Sequence, residues 1–407
     1  MLENVELEKA QELILSEVAS LPDESLPLLR ALGRVISVDI FADHDIPPYA
    51  QSAVDGYAIP AGGCSLYQVK ERLLPGEMPA SPLGPGHAAG VVTGGPLPDG
   101  AEAVIPQEAA GLSGESGEFV TYYEEIVPGS NVKFPGEDFR KGDLLVRRGA
   151  CLRPGIASVL AAYGRNEVAV FSRPRVAILG LGPDIVSCHE TPAPGRMRDS
   201  NGVLLAALAQ RDGGQVTGVE AAGAGSSFQV NYSLQRLLQL SDIVLTTGGT
   251  AHGVRDQAVS IVRRSGADLL FWGLRIKPGS HSGAAVCGHK LIVSLSGNPS
   301  ACAVGYYLLV APVMRALQGL DPYPQRLSAV SADAFLKKGG PRRFLQAVAA
   351  CSQEGWGVKI LPGQKSSMMR PFLSDCNALI DLPEGHPPIE KSAEVPVILL
   401  NCLCAVG

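Results

Sequence analysis

No Cys-x-x-Cys pair occurs in the 407 residues, and the nine cysteines are scattered. Cys402 and Cys404 form the sole close pair, alternate residues that would share one face of a strand-like tail. An odd count without paired spacing argues against a zinc site or a disulfide framework, and for buried thiols in a reducing compartment. Blocks of five or six basic residues are also missing and the net charge is −6, so nucleic acid is not an expected partner. The longest apolar run, about Val304 to Val313, is too short to span a bilayer. The opening stretch MLENVELEKAQELILSEV has neither the basic n-region nor the apolar h-region of a signal peptide. These absences point to a cytoplasmic protein with no membrane partner. What remains is 46% apolar and 18% charged, ordinary for a folded chain with room for two to four domains. An anionic small molecule stays compatible with the acidic balance, because local donors decide binding at a site.

The densest chemistry lies between Ser241 and Pro299. SDIVLTTGGTAHGVRD is a β-branched run ending in Gly248 and Gly249, with Asp256 just beyond. LLFWGLRIKPGS is a second strand-like run that ends at Lys277. KLIVSLSGNPSACAVGYYLL is a third strand, a Gly297-Asn298-Pro299 turn and an amphipathic helix. A continuous apolar run fits a strand buried on both faces of a parallel sheet. Open α/β sheets keep their ligand crevice at the carboxyl ends of such strands. Glycines there leave amide N–H groups free to meet an anion, and Pro299 suits the first turn of a helix whose amino end favours negative charge. Lys277 adds a positive charge and Asp256 a metal ligand, which suggests a phosphate-bearing ligand with a divalent cation. Ordinary turn chemistry explains each piece taken singly.

In chain order, residues 1 to about 44 read as helices, with Leu7, Ala10, Leu13, Ile14 and Val18 at helical spacing and LLRALGRVISVDI as a second helix closed by Gly33. Pro47 and Pro48 then force an extended loop. Between Pro60 and Asp143, glycine and proline punctuate the short runs SLYQVKERLL, AAGVVTGG, AEAVIPQE and EFVTYYEEIV, a small all-β module. Helical texture resumes in PGIASVLAAYG, so the module reads as an insertion. From Arg173 to about Leu320 strands and helices alternate, as in a three-layer α/β domain with a mainly parallel sheet; Asp199 or Ser200 is placed to cap the helix DSNGVLLAALAQRDG. Gly180 and Gly182 begin a dinucleotide fingerprint, but Ile185 stands where the third glycine belongs and no acid ends the second strand, which argues against nicotinamide. After DPYPQ, the runs RRFLQAVAA and GWGVKILPG suggest a small β-barrel or sandwich. The partition is therefore 1–45 with 144–172, 46–143, 173–321 and 322–407.

Taken together, SAVDGYAI, TGGPLPDGAEAVIPQE, FPGEDFRKGD, RDSNG, TTGGTAHGVRD, IKPG and SGNP stand in an order that resembles the molybdopterin molybdenumtransferase family, which includes the C-terminal domain of gephyrin. The resemblance covers nearly the full chain. It implies a helical N-terminal domain, an inserted β-domain, a molybdopterin-binding α/β domain and a C-terminal β-barrel, in an elongated homodimer. The implied reaction inserts molybdenum from molybdate into adenylylated molybdopterin and releases AMP with help from Mg2+. Matched residue by residue, Asp55, Thr93 and Asp138 fall on the partner-facing side of the implied cleft. Asp184, Asp256 and Lys277 fall on the α/β side, and Ser366 and Ser367 border it from the barrel. On this reading Asp55, Asp184, Asp256 and Lys277 are catalytic, with Asp184 and Asp256 on the metal. Thr93, Asp138, Gly248, Gly249, Ser280, Gly297, Asn298, Ser366 and Ser367 bind substrate. Blander roles stay open: turn carboxylates for Asp55 and Asp138, a helix cap for Asp184, a strand end for Thr93.

The chain also departs from the family pattern. Ser280 stands where a second lysine is usual, Pro183 where an aspartate is usual, Ala222 and Gly223 in place of an acidic pair, and Ala251 in place of a serine. Arg255 and His281 are the neighbours placed to replace the lost lysine. These changes set a second reading beside the first: a catalytically weak homologue that carries the pterin or serves as its scaffold, or an enzyme that takes tungstate.

Overall fold

The computed structural model describes residues 2–400 except 63, 115–116, 224, 250–254 and 366; the side chains of residues 255–257 are also outside the description. Two compact units make up the chain: Met1–Val38, Gly149–Pro154 and Glu167–Gly407 in the first, Asp39–Arg148 and Gly155–Asn166 in the second.

The first unit is built on a seven-stranded sheet. Its order is Leu2–Val5, Asp268–Leu274, Gly283–Cys287, Lys290–Leu295, Ile243–Gly248, Arg175–Leu181 and Gln215–Ala221. Strand pairs are parallel except on either side of Gly283–Cys287, so the sheet is mixed rather than mainly parallel on that flank. Period-two alternation sorts the side chains. Val176 and Ile178 join Ile243 and Leu245 under the helices Leu7–Leu15, Ser200–Arg211 and the run from Pro299. Ala177, Leu179, Leu181 and Val244 face the helices Ser227–Leu240 and Arg255–Arg264 instead. The result is three layers. Asp199 caps Ser200–Arg211 by accepting from the Gly202 N–H at 2.9 Å, and Ser226 caps Ser227–Leu240 in a capping box with Gln229.

Several expectations need correction. LLRALGRVISVDI is no second helix: after the strand Asp23–Pro27 the chain makes a single turn, with Ala31 N–H bonded to Pro27 O. Gly33 at φ 76° ends that turn, and Ile36 then pairs with the Ala150 carbonyl. Its apolar residues do not share a face, for Ala31 and Val35 are buried while Leu29 is 81% exposed. Leu2–Val5, read as the start of a helix, is a strand added to the sheet by parallel pairing with Asp268–Leu274. The helix after Pro299 is not amphipathic but buried nearly all round. Its 19 residues, Pro299–Leu317, are long and apolar enough to cross a bilayer, and they form the centre of the core instead. Thiols are not uniformly buried: Cys302 is, Cys64, Cys188 and Cys351 are exposed, and Cys151 is disulfide-bonded. Cys402 and Cys404 lie outside the described residues.

The C-terminal part closes on itself. Strands Arg342–Ser352, Gly355–Ile360, Arg326–Ser331, Glu394–Leu399 and Ala378–Leu382 pair in a ring, the last returning to the first. That is a five-stranded barrel, and closure leaves it no free edge. The second unit carries a six-stranded sheet in the order Ala101–Pro106, Gly56–Pro60, His87–Val91, Leu66–Arg72, Phe119–Thr121 and Gly111–Ser113. EFVTYYEEIV supplies only three of its residues as strand.

Candidate functional site

Strand direction decides which loops meet. Arg175–Leu181, Ile243–Gly248 and Lys290–Leu295 are mutually parallel, so Gly182, Gly249 and Gly297 all follow carboxyl ends at one edge of the sheet. Asp268–Leu274 runs the same way, being antiparallel to a strand that is itself antiparallel to Lys290–Leu295. The chain leaves Arg175–Leu181 for one neighbour, Gln215–Ala221, and places Ile243–Gly248 on its other side. This is a topological switch point, where open α/β sheets hold their ligands.

The tips are close because they lack side chains. Gly248 has φ 86° and its Cα lies 3.1 Å from where a Cβ on Gly297 would sit. A methyl group on Gly248 itself would run into the Leu181 carbonyl oxygen. Beside these tips, on the face covered by Ser227–Leu240 and Arg255–Arg264, lies a cavity of about 460 Å³. That volume suits a small organic ligand. Gly182, Pro183, Ala222, Gly223 and Gly249 form its rim, with Ser227 and Val230 from one helix and Ala258, Ile261 and Arg264 from the other. All three positions where an acid was expected, Pro183, Ala222 and Gly223, therefore line one cavity. Arg264, exposed and without an ion pair among the described residues, is the one charged group in its described lining.

The other face of the same edge is polar and buried. The Asn201 Nδ2 group donates to Gly297 O at 2.8 Å and to Thr247 Oγ1 at 3.1 Å. Thr247 Oγ1 in turn donates to Ser296 O at 3.1 Å and lies 3.6 Å from Cys302 Sγ. Burial pushes the Cys302 thiol up to about 12, so it is no nucleophile at neutral pH. Burial likewise raises the Asp199 carboxyl, against the opposing pull of the Gly202 and Asn201 N–H groups.

The remaining predicted residues fall as follows. Asp184 is exposed just past Gly182, and its Oδ1 would lie 2.7 Å from a Cβ on that glycine, so the carboxylate folds back over the strand end. Asp256 is the second residue of the helix Arg255–Arg264, where a carboxylate also complements the helix dipole; its side chain and that of Arg255 are outside the described residues, as is Ala251. Lys277 does not end a strand of the main sheet. It belongs to the separate two-residue strand Ile276–Lys277, which pairs with Arg342 and Arg343 of the barrel, and it is exposed. The following Gly279 packs against the start of the Pro299 helix, where a Cβ would be 3.6 Å from Ala301 O. Ser280 Oγ lies 3.5 Å from His281 Nδ1. Asn298 caps the Pro299 helix with its backbone, Cys302 N–H bonding to Asn298 O at 2.8 Å. Ser367 is exposed in a turn and Ser366 lies outside the described residues.

In the second unit, Asp55 and Thr93 meet across 38 positions. Asp55 Oδ1 accepts from the Thr93 N–H at 2.7 Å and from its hydroxyl at 2.9 Å, and the first of these bonds above all holds the carboxyl below its usual value. Asp138 is paired instead with Lys133 at 2.5 Å. Sequence reading missed Asn201, Thr247 and Arg264 as site residues. Asn201 stood in the RDSNG motif beside a cap, and Arg264 follows Ala258 and Ile261 at three-residue helical spacing, the available signals.

Comparison with known proteins agrees along the chain. Residues 5–164 match the "MoeA N-terminal region (domain I and II)", 177–316 the "Probable molybdopterin binding domain", and 328–400 the "MoeA C-terminal region (domain IV)". A molybdopterin molybdenumtransferase of Bacillus subtilis strain 168 is 30% identical over 93% of this chain and 90% of its own length. One from Staphylococcus aureus strain Mu50 is 29% identical over 97% of this chain and 95% of its own. Among solved structures, a molybdopterin biosynthesis MoeA protein of Pyrococcus horikoshii superposes with a TM-score of 0.83 at 28% identity, covering 98% of this chain and 99% of its own. With the switch-point edge, the closed barrel and these full-length matches in agreement, the chain belongs to the molybdopterin molybdenumtransferase family, and its role lies in molybdenum cofactor biosynthesis.

Proposed function

We propose that the chain transfers molybdenum from molybdate into adenylylated molybdopterin and releases AMP. The observation that carries this reading is the shared edge of Gly182, Gly249 and Gly297 beside a ligand-sized cavity. Amides at Gly248 and Gly249 would meet phosphate oxygens, with the positive end of the Pro299 helix nearby. Lys277, two residues before the Gly279 that packs against that helix, would add a cation toward the leaving phosphate.

Mg2+ needs only one or two carboxylates when substrate phosphates and water complete its shell. That mode asks of this chain no more than the two carboxylates already assigned, Asp184 and Asp256. Asp184, exposed at the edge, fits the phosphate-bridged mode, and Asp256 follows the glycine loop close by in sequence. These two would hold the ion, which supplies charge neutralisation at the pyrophosphate when bound. Asp184 and Lys277 orient the linkage that breaks, and the apolar lining formed by Leu181, Val230, Ala258 and Ile261 excludes bulk water from it. A homodimer and a cytoplasmic location belong to the same proposal, with Asp55, Thr93 and Asp138 as the set that a second copy contributes.

Purified protein incubated with adenylylated molybdopterin, molybdate and Mg2+ is expected to release AMP; absence of AMP with intact pterin binding would contradict transfer. One observation favours a second reading, a pterin carrier or an enzyme for tungstate: Pro183, Ala222 and Gly223 remove the expected acids from one cavity wall. Tungstate in place of molybdate in that assay separates these outcomes.

A further inference from the structure

We infer that Asn201 is the positioning residue of this edge: one amide group sets the spacing between the Gly248–Gly249 loop and the Gly297–Asn298 turn. The inference rests on the functional reading above and goes beyond it, since Asn201 lies behind the tips rather than in the cavity lining.

A carboxamide NH2 has two hydrogens, and Asn201 spends them on two different strands. One goes to Gly297 O at 2.8 Å, past the end of Lys290–Leu295; the other goes to Thr247 Oγ1 at 3.1 Å, at the next-to-last residue of the strand Ile243–Gly248. The Thr247 hydroxyl then hands its own hydrogen to Ser296 O, so both links end on the segment that leads into Asn298 and Pro299. Asp199 fixes where the donor points, because its carboxylate caps the helix on which Asn201 is the second residue. Asn201 is only 8% exposed, and its Oδ1 is buried with no hydrogen-bond partner. A buried unpaired acceptor is costly, and a fold keeps one where the other half of the group does work an apolar residue cannot. Here that work is holding Gly248 and Gly297 in backbone contact, so that amides from both loops converge on one anion.

The test measures molybdopterin binding by the full-length chain, reading affinity and stoichiometry separately, with thermal unfolding alongside. Asn201→Ala removes both donors; Asn201→Asp keeps the shape, turns a second oxygen toward Gly297 O and leaves at most one donor, the O–H of the protonated carboxyl. Each is expected to raise Kd about ten-fold or more, the factor equivalent to about 1.4 kcal/mol, at unchanged stoichiometry. Thr247→Val, which removes the hydroxyl at nearly constant volume, is expected to raise Kd about three-fold. A purely structural role would lower the number of folded sites and leave Kd at its wild-type value; that result for the Asn201 variants overturns the inference. Should those variants fail to fold, Thr247→Val decides alone, an unchanged Kd counting against. Wild-type protein that does not bind molybdopterin overturns the functional reading, and the inference with it.

Discussion

Gly248→Ala is the sharpest perturbation of the edge. The residue sits at φ 86°, a left-handed conformation that costs an L side chain about 1–2 kcal/mol. Its new methyl group would also collide with the Leu181 carbonyl oxygen, which is backbone within the adjacent strand and has no rotamer to yield. Forcing strands apart to admit such an atom costs about 1–3 kcal/mol more, giving about 2–5 kcal/mol in all. For a domain of this size that is a Tm loss of roughly 5–15 °C. Gly249→Ala is the built-in control. It shares the positive φ, at 66°, but the nearest described atoms to its Cβ would be side-chain carbons, Leu181 Cβ at 3.3 Å and Ala258 Cβ at 3.7 Å. Its cost is then about 1–2 kcal/mol, or roughly 2–6 °C. Scanning calorimetry of the two variants tests the ranking. If Gly248→Ala unfolds within a degree of wild type, or later than Gly249→Ala, the close packing of the Leu181 and Gly248 strand ends is wrong.

Other outcomes follow from single groups. The Asp55 carboxyl, with an ordinary value of 3.8, is held lower by its bonds from Thr93, so its contribution is in place above that value and is lost as pH falls through the lower folded one. NMR titration of Thr93→Val, which removes the hydroxyl bond and keeps the stronger bond from the backbone N–H, should show the Asp55 midpoint rising while staying below 3.8; an unmoved midpoint refutes the hydroxyl bond. Asp199 is raised instead, so its charge destabilises the fold above the folded value and the penalty vanishes as pH falls below 3.8. Urea unfolding at neutral pH should therefore find Asp199→Asn, which keeps the cap, at least as stable as wild type, and Asp199→Ala weaker by about 1 kcal/mol. Equal stability of the two variants would remove the cap from the account. Ala222→Asp restores a carboxylate to the cavity wall and is expected to tighten Mg2+ binding with pterin present, read by calorimetry. An unchanged Mg2+ isotherm would place the ion elsewhere.

Local patterning carried the three-layer domain. Val176 to Leu181 alternates between two cores, and Asp199 and Ser226 are caps that chemistry alone suggests. What sequence reading missed was long-range. Nothing near Leu2 says that its segment pairs with Phe271, and nothing near Lys277 says that its strand pairs with Arg343 of the barrel. LLRALG has helical spacing, yet Ile36 is claimed by the Ala150 carbonyl, so tertiary pairing overrides propensity there. Gly248 and Gly297 stand at strand ends whose close approach demands glycine, which is why those ends were legible. RDSNG drew attention to Asn201 but not to its contacts, since its partners Thr247 and Gly297 lie 46 and 96 positions away.

The most direct measurement is a crystal structure of the chain with molybdopterin bound. The account predicts the terminal phosphate within hydrogen-bonding reach of the Gly248–Gly249 amides, with the pterin at the switch-point edge next to Gly182 and Gly297. A ligand seated away from the carboxyl ends of these strands would contradict it.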